Sequence, residues 1–109
     1  MKVRVSGKQV EIGAALPEEV RGRLETAVLK HFDGGADAHV VFSHDGPFFR
    51  ADVTVHLDTG AVMKGEGDGK DAYLAFDSSL ERLEKQLRRY KRKLKNHHDK
   101  NRAPKGQPA

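Results

Sequence analysis

The chain has 109 residues, 37% of them apolar and 33% charged, with a formal net charge of +4. That suffices for one domain with a thin core and at most two layers. There is no cysteine, which excludes a disulfide framework, a thiolate zinc site and a cysteine nucleophile, and fits a reducing compartment. No apolar run approaches a membrane span or signal-peptide core, so the sequence reads as a soluble, unexported, cytoplasmic protein.

Val3 and Val5 alternate with Lys2, Arg4 and Ser6, the period of a half-buried strand, and Gly7-Lys8 breaks it. A helix is expected from residue 16 or 17 to 32. Pro17 suits the first helical turn, and Glu18 and Glu19 suit the positive end of the dipole. Leu16, Val20, Leu24, Ala27 or Val28, and Phe32 make its buried stripe, and Asp33-Gly34-Gly35 is the expected stop. Three strands follow, at about 38–43, 49–57 and 61–67. The second alternates most cleanly, with Phe49, Ala51, Val53, Val55 and Leu57 on one side and Arg50, Asp52, Thr54 and His56 on the other. In the third, Ala61, Met63 and Gly65 are expected inward. The turn formers at 44–47 and 58–60 are short enough for hairpins. These three strands should therefore form an antiparallel meander, and the first, which leaves through a helix, should lie parallel to a neighbour.

The last element is expected from 71 to 95. Its apolar residues are Ala72, Phe76, Leu80, Leu83, Leu87, Tyr90 and Leu94, spaced by fours and threes, which is one stripe of a helix. The other face carries Arg82, Lys85, Arg88, Arg89, Arg92, Lys93 and Lys95. Residues 96–109 lose the period and contain two prolines and a glycine, and read as a disordered basic tail or the start of a linker. The expected architecture is β-α-β-β-β-α: an α+β two-layer sandwich, its four-stranded mixed sheet covered on one face by both helices. The opposite sheet face, with Lys2, Arg4, Arg50, Thr54 and His56, should be wet.

Charge is sharply segregated. From 82 to 105 there are eleven Lys or Arg and two acids, Glu84 and Asp99, a net +9. The remainder holds nine Lys or Arg against 14 acids, a net −5. Such polarity is the footprint of a polyanion binder. A solubilising tail is the bland reading, and it ranks lower because these charges ride on a helix anchored by core residues. Arg forks and Lys point charges suit phosphate oxygens, and counterion release makes such binding strong and salt-sensitive. Tyr90 falls on the apolar stripe, so core packing is its expected role. No strand carries the paired aromatics that stack bases, so recognition should proceed by shape and backbone. Arg21, Arg23 and Lys30 of the first helix extend the footprint if the helices lie side by side.

Other chemistries find little support. Gly65-Glu66-Gly67-Asp68-Gly69 matches neither a P-loop nor a dinucleotide fingerprint, and its acids repel phosphate. Its small residues instead suit a strand passing close under a helix, with Asp68 or Asp71 as cap. His39, His44, His56, His97 and His98 lack zinc-site spacing, so no metal or other cofactor is expected. No nucleophile, zinc-protease or paired-carboxylate motif stands out, so neither an enzyme nor a small-molecule substrate is expected.

Four stretches together resemble the ribosome hibernation promoting factor family, also known as ribosome-associated inhibitors, protein Y or sigma-54 modulation proteins. They are KVRVSGKQVEI (2–12), LKHFD (29–33), EGDGKDAYLAFD (66–77) and LERLEKQLRRYKRKLK (80–95). The resemblance spans residues 1 to about 98 and implies a ribosome-binding domain at 1–95, with a fold similar to double-stranded RNA-binding domains. It implies binding to the small ribosomal subunit and its rRNA in the decoding region, over the mRNA and tRNA positions, silencing translation under stress or in stationary phase. The family's rRNA-contacting basics carry over to Arg82, Lys85, Arg89, Lys91 and Lys93, joined by Arg88, Arg92 and Lys95. Arg21, Arg23 and Lys30 carry over less directly, because Glu18, Glu19 and Glu25 dilute that patch. Long members add a linker and a second domain that pairs ribosomes. RAPKGQPA resembles the beginning of such a linker, and the chain as it stands is expected to be a monomer. Two other readings compete: a protein-interaction module whose long helix forms a coiled coil with a partner, and a generic duplex-RNA binder.

Overall fold

The computed structural model describes the backbone of residues 1–102 and the side chains of residues 1–93. The elements run β1 (Lys2–Gly7), α1 (Ala15–His31), β2 (Ala36–Asp45), β3 (Phe48–Leu57), β4 (Val62–Gly69) and α2 (Ala72–Arg102). Their order in the single sheet is β1-β2-β3-β4, with β1 parallel to β2 and the other pairs antiparallel. The expected β-α-β-β-β-α sandwich is thus the observed one. Helix α1 supplies the crossover that a parallel β1–β2 pair needs. The β2–β3 loop is the pair Gly46-Pro47, with Gly46 at φ +61°, where a two-residue hairpin requires the left-handed region.

Strand alternation decides the layers. Val40, Phe42, Ala51, Val53, Val55, Leu57 and Met63 point to one face and are buried there. Both helices cover that face. From α1 come Leu16, Val20, Leu24, Ala27 and Val28, and from α2 come Ala75, Phe76, Leu80, Leu83 and Leu87. From Ala72 to Tyr90 the apolar stripe of α2 is therefore packed against the chain's own core. Ser79 is fully buried beneath α2, and its hydroxyl donates to the Phe76 carbonyl at 2.9 Å, so no buried polar atom is orphaned there.

Three details differ from the sequence expectations. Helix α1 leaves in extended conformation at Phe32 (φ −150°), without a left-handed glycine. Gly34 and Gly35 serve a close approach instead. A Cβ on Gly34 would lie 2.7 Å from the Phe32 ring, and the Gly35 N–H donates to Asp58 Oδ2 at 2.8 Å. Only Glu18 falls in the first turn of α1, because the helix begins at Ala15, one residue before the expected start. Helix α2 continues to Arg102, past the last stripe residue. Its sequence meets no proline until Pro104, and a residue preceding proline disfavours helix. Of the expected tail, residues 96–102 are helical and the rest lies outside the described residues.

The glycine-rich strand is the tightest joint in the fold. A Cβ on Gly65 would lie 2.4 Å from the Ser79 carbonyl oxygen. One on Gly67 would lie 2.4 Å from Ser78 Cβ and 2.5 Å from Ser79 N, and one on Gly69 would lie 2.6 Å from Ala75 N. The obstacles are largely helix backbone, which cannot rotate away. Asp71 caps the helix start, its Oδ1 accepting the Leu74 N–H at 2.9 Å. Gly67→Ala should lower the urea midpoint by the equivalent of about 1–3 kcal/mol through overpacking. A midpoint equal to the parent's would show that α2 can lift off β4 without cost.

Candidate nucleic-acid interface

Helices α1 and α2 run parallel. Arg23, midway along α1, pairs at 2.6 Å with Asp77 near the start of α2, and the Phe32 and Tyr90 rings lie 6.2 Å apart where α1 ends. The Tyr90 hydroxyl also meets Thr59 Oγ1 at 2.7 Å, in the β3–β4 turn. Beyond Tyr90, α2 runs for twelve more residues, about 18 Å, past the end of α1.

This geometry separates the charges by function. Arg82, Lys85, Arg88, Arg89, Lys91, Arg92 and Lys93 are all exposed. Among the described residues, none of the seven takes part in an ion pair. The one acid within that span, Glu84, is half-buried and turned toward α1. Arg82 has a structural duty as well: its guanidinium donates to the Glu66 carbonyl at 2.8 Å. Gln86 accepts the Lys64 N–H at 3.1 Å and donates back to the Lys64 carbonyl. These two side chains satisfy three outer backbone groups of β4, an edge strand otherwise open to pairing at those positions. Lys95, His97 and His98 have side chains outside the described residues.

The first helix contributes less than its composition suggests. Arg21 lies at the other sheet edge, its Nε donating to the Val3 carbonyl at 3.4 Å. Arg23 is engaged by Asp77 and, at 3.6 Å, by Glu19, with its guanidinium 5.2 Å above the Phe76 ring. Only Lys30 is exposed and unpaired among the described residues at the cationic end. The groove between the helices is lined by Glu18, Glu19 and Glu84 together with Arg23 and Lys30, so it is no concentrated cationic site. Gln86 was invisible to a charge-based search, since an uncharged residue between cations carries no signal. Among the described residues, no group of three or more His, Asp or Glu is arranged to hold a metal, and no helix is long and apolar enough to cross a membrane.

One titratable group joins the two helices. The His31 side chain is 8% exposed, and its Nε2 lies 3.6 Å from Glu84 Oε2, beyond hydrogen-bond reach. Burial holds its pKa below the ordinary 6.5; Glu84 opposes the shift, and Lys30 and Arg88 add to it. The folded state thus favours the neutral ring, and the unfolded chain takes up the proton first as pH falls. Stability is fully present above about pH 6.5 and is lost as pH drops through the lower folded-state value. Urea midpoints at pH 7.5 and 5 should fall further for the parent than for His31→Gln. An equal fall in both would mean that His31 is not the linked group.

The arrangement matches known proteins along nearly its whole length. The family model described as sigma 54 modulation protein / S30EA ribosomal protein matches residues 3–95. A ribosome hibernation promotion factor of Rhizobium meliloti is 48% identical over 101 residues, covering 93% of this chain and 53% of that protein. The chain thus spans about half the length of that relative. The ribosome hibernation promoting factor of Escherichia coli K12 is 31% identical over 97 residues, covering 89% of this chain and 100% of that protein. The crystal structure of the Thermus thermophilus protein Y N-terminal domain superposes with a TM-score of 0.74 at 32% identity, covering 83% of this chain and 99% of that one. With the basic helix, the glycine strand and the sheet order all in place, this chain belongs to the sigma 54 modulation / S30EA ribosomal protein family.

Proposed function

We propose that this chain is a ribosome hibernation factor. It acts in the cytoplasm, binds the small ribosomal subunit in the decoding region, occludes the mRNA and tRNA sites, and inhibits translation under stress or in stationary phase. The observation that carries this reading is the face of α2 from Lys85 to Lys93. Six exposed cations there (Lys85, Arg88, Arg89, Lys91, Arg92 and Lys93) have no acidic partner among the described residues. The names of the rhizobial and E. coli relatives support it.

The mechanism is occupancy and needs no catalytic step. Lys85 and Lys93 are eight residues apart, so the cations line about 12 Å of a straight rod. A rod of guanidinium and ammonium groups follows a phosphate backbone and ignores base identity. The coiled-coil reading loses its basis, because Phe76, Leu80, Leu83 and Leu87 are buried against the sheet.

Co-sedimentation with small subunits and with plain duplex RNA tests the proposal. Binding to subunits should survive physiological salt and yield to added mRNA and tRNA. Equal, salt-labile binding to both RNAs would reduce the chain to a generic duplex-RNA binder. Lys85→Glu with Arg89→Glu should abolish co-sedimentation at physiological salt while circular dichroism stays native, since both side chains are exposed. Parent-like binding by that variant would remove α2 as the contact surface.

A further inference from the structure

The sheet face opposite the helices is also charge-segregated, and the segregation follows the register. One row across all four strands reads Arg4–His39–Thr54–Lys64, and the next reads Lys2–Asp37–His56–Val62. Lys2, Arg4, His39, His56 and Lys64 are exposed. The only carboxylate in these rows, Asp37, accepts the Lys2 backbone N–H at 3.2 Å. Toward the other end of the sheet the rows turn acidic, with Asp52, Glu66 and Asp68. Arg50 gathers these three at 3.4, 2.8 and 3.7 Å, so it is committed within the sheet. Lys2, Arg4 and Lys64 have no such partner among the described residues.

The cationic rows lie at the end of the sheet from which α2 departs, because Lys64 is hydrogen-bonded to Gln86 and the neighbouring turn to Tyr90. Arg82, Arg89 and Lys93 are four, three and seven residues from Gln86 and so share its flank of the helix. Cations therefore stand at both ends of this band, Lys64 at the β4 edge beside that flank and Arg4 and Lys2 on β1, with only the neutral Thr54 and His39 between Lys64 and Arg4. The crossing spans three strand spacings, about 14 Å. These rows contain no Phe, Tyr or Trp. The exposed Phe48 sits at the opposite end, beside Asp45. Such a surface offers cations to phosphates and lacks the large aromatic platforms of single-strand readers. His56 adds an exposed imidazole to it, while His39 Nε2 is hydrogen-bonded to Ser6 Oγ at 3.0 Å.

We propose that this half of the open sheet face is a second rRNA-backbone contact, continuous with the α2 surface and resting on the small-subunit reading given above. Lys2, Arg4 and Lys64 meet phosphates of the strand that leaves the helix flank, so the domain grips rRNA on two faces.

The test is a salt titration of binding to small subunits stripped of mRNA, using Lys2→Ala/Arg4→Ala/Lys64→Ala. Losing three phosphate contacts should make the plot of log affinity against log salt shallower by about two to three and weaken binding at physiological salt. The charge-preserving Lys2→Arg/Arg4→Lys/Lys64→Arg should keep the parent's slope. Lys64→Ala alone, which retains the backbone bonds to Gln86, repeats the readout at about one third of the size should the triple variant fold poorly. A triple variant with the parent's slope and affinity overturns the proposal. If Lys85→Glu/Arg89→Glu loses binding in the same titration, the helix reading stands without the sheet. If neither variant changes binding, both readings fall. A defect that arises only after mRNA is added overturns the assignment to rRNA.

Discussion

The contact between α2 and the glycine-lined strand β4 governs the rest of the structure. With hydrogen in place of side chains at Gly65, Gly67 and Gly69, helix backbone rests nearly on strand backbone. Leu83 and Leu87 can then reach the sheet floor, and Gln86 and Arg82 can reach the outer backbone groups of β4. The helix is thereby fixed in position and in rotation about its own axis. Rotation matters most for function, because it decides which residues face water. A quarter-turn would bury Arg88 or Arg89 and expose Phe76.

Parallel packing of the helices adds an electrostatic consequence. Glu18 and Glu19 belong to the first half of α1 and Asp71 and Asp77 to the start of α2, and α1 ends beside Tyr90 in the cationic stretch of α2. In α1, Glu18 in the first turn and Lys30 in the last each suit the macrodipole. The domain is thus a dipole along its length, and the acidic end turns phosphate away. That keeps a small basic protein from adhering to polyanions in every orientation.

Most of the fold was legible in the sequence because its signals are local. The four-three spacing of α2, the strict alternation of β3 and the short turns each point to one arrangement, and the elements they name are present. The glycine run was legible as a close approach because nothing else explains small residues between a strand and a helix. What escaped is tertiary. Nothing near Arg23 announces Asp77, 54 residues away, and nothing near Arg21 announces the Val3 carbonyl, so both looked available for RNA. The end of α2 was misplaced because the apolar period stops before any helix-breaking residue occurs. The cationic rows of the open sheet emerge only when register brings Arg4 level with Lys64.

The hydrogen bond between Tyr90 and Thr59 lies where α2 passes the end of α1. Inside that point, the stripe residues Phe76, Leu80, Leu83 and Leu87 are judged by packing. Lys91, Arg92 and Lys93 lie beyond it, exposed and with no core partner, so they are judged by the ligand alone. The usual conflict between a binding surface and the stability of its scaffold is thereby eased. Affinity in this chain can drift over generations, residue by residue, while the fold stays under separate control.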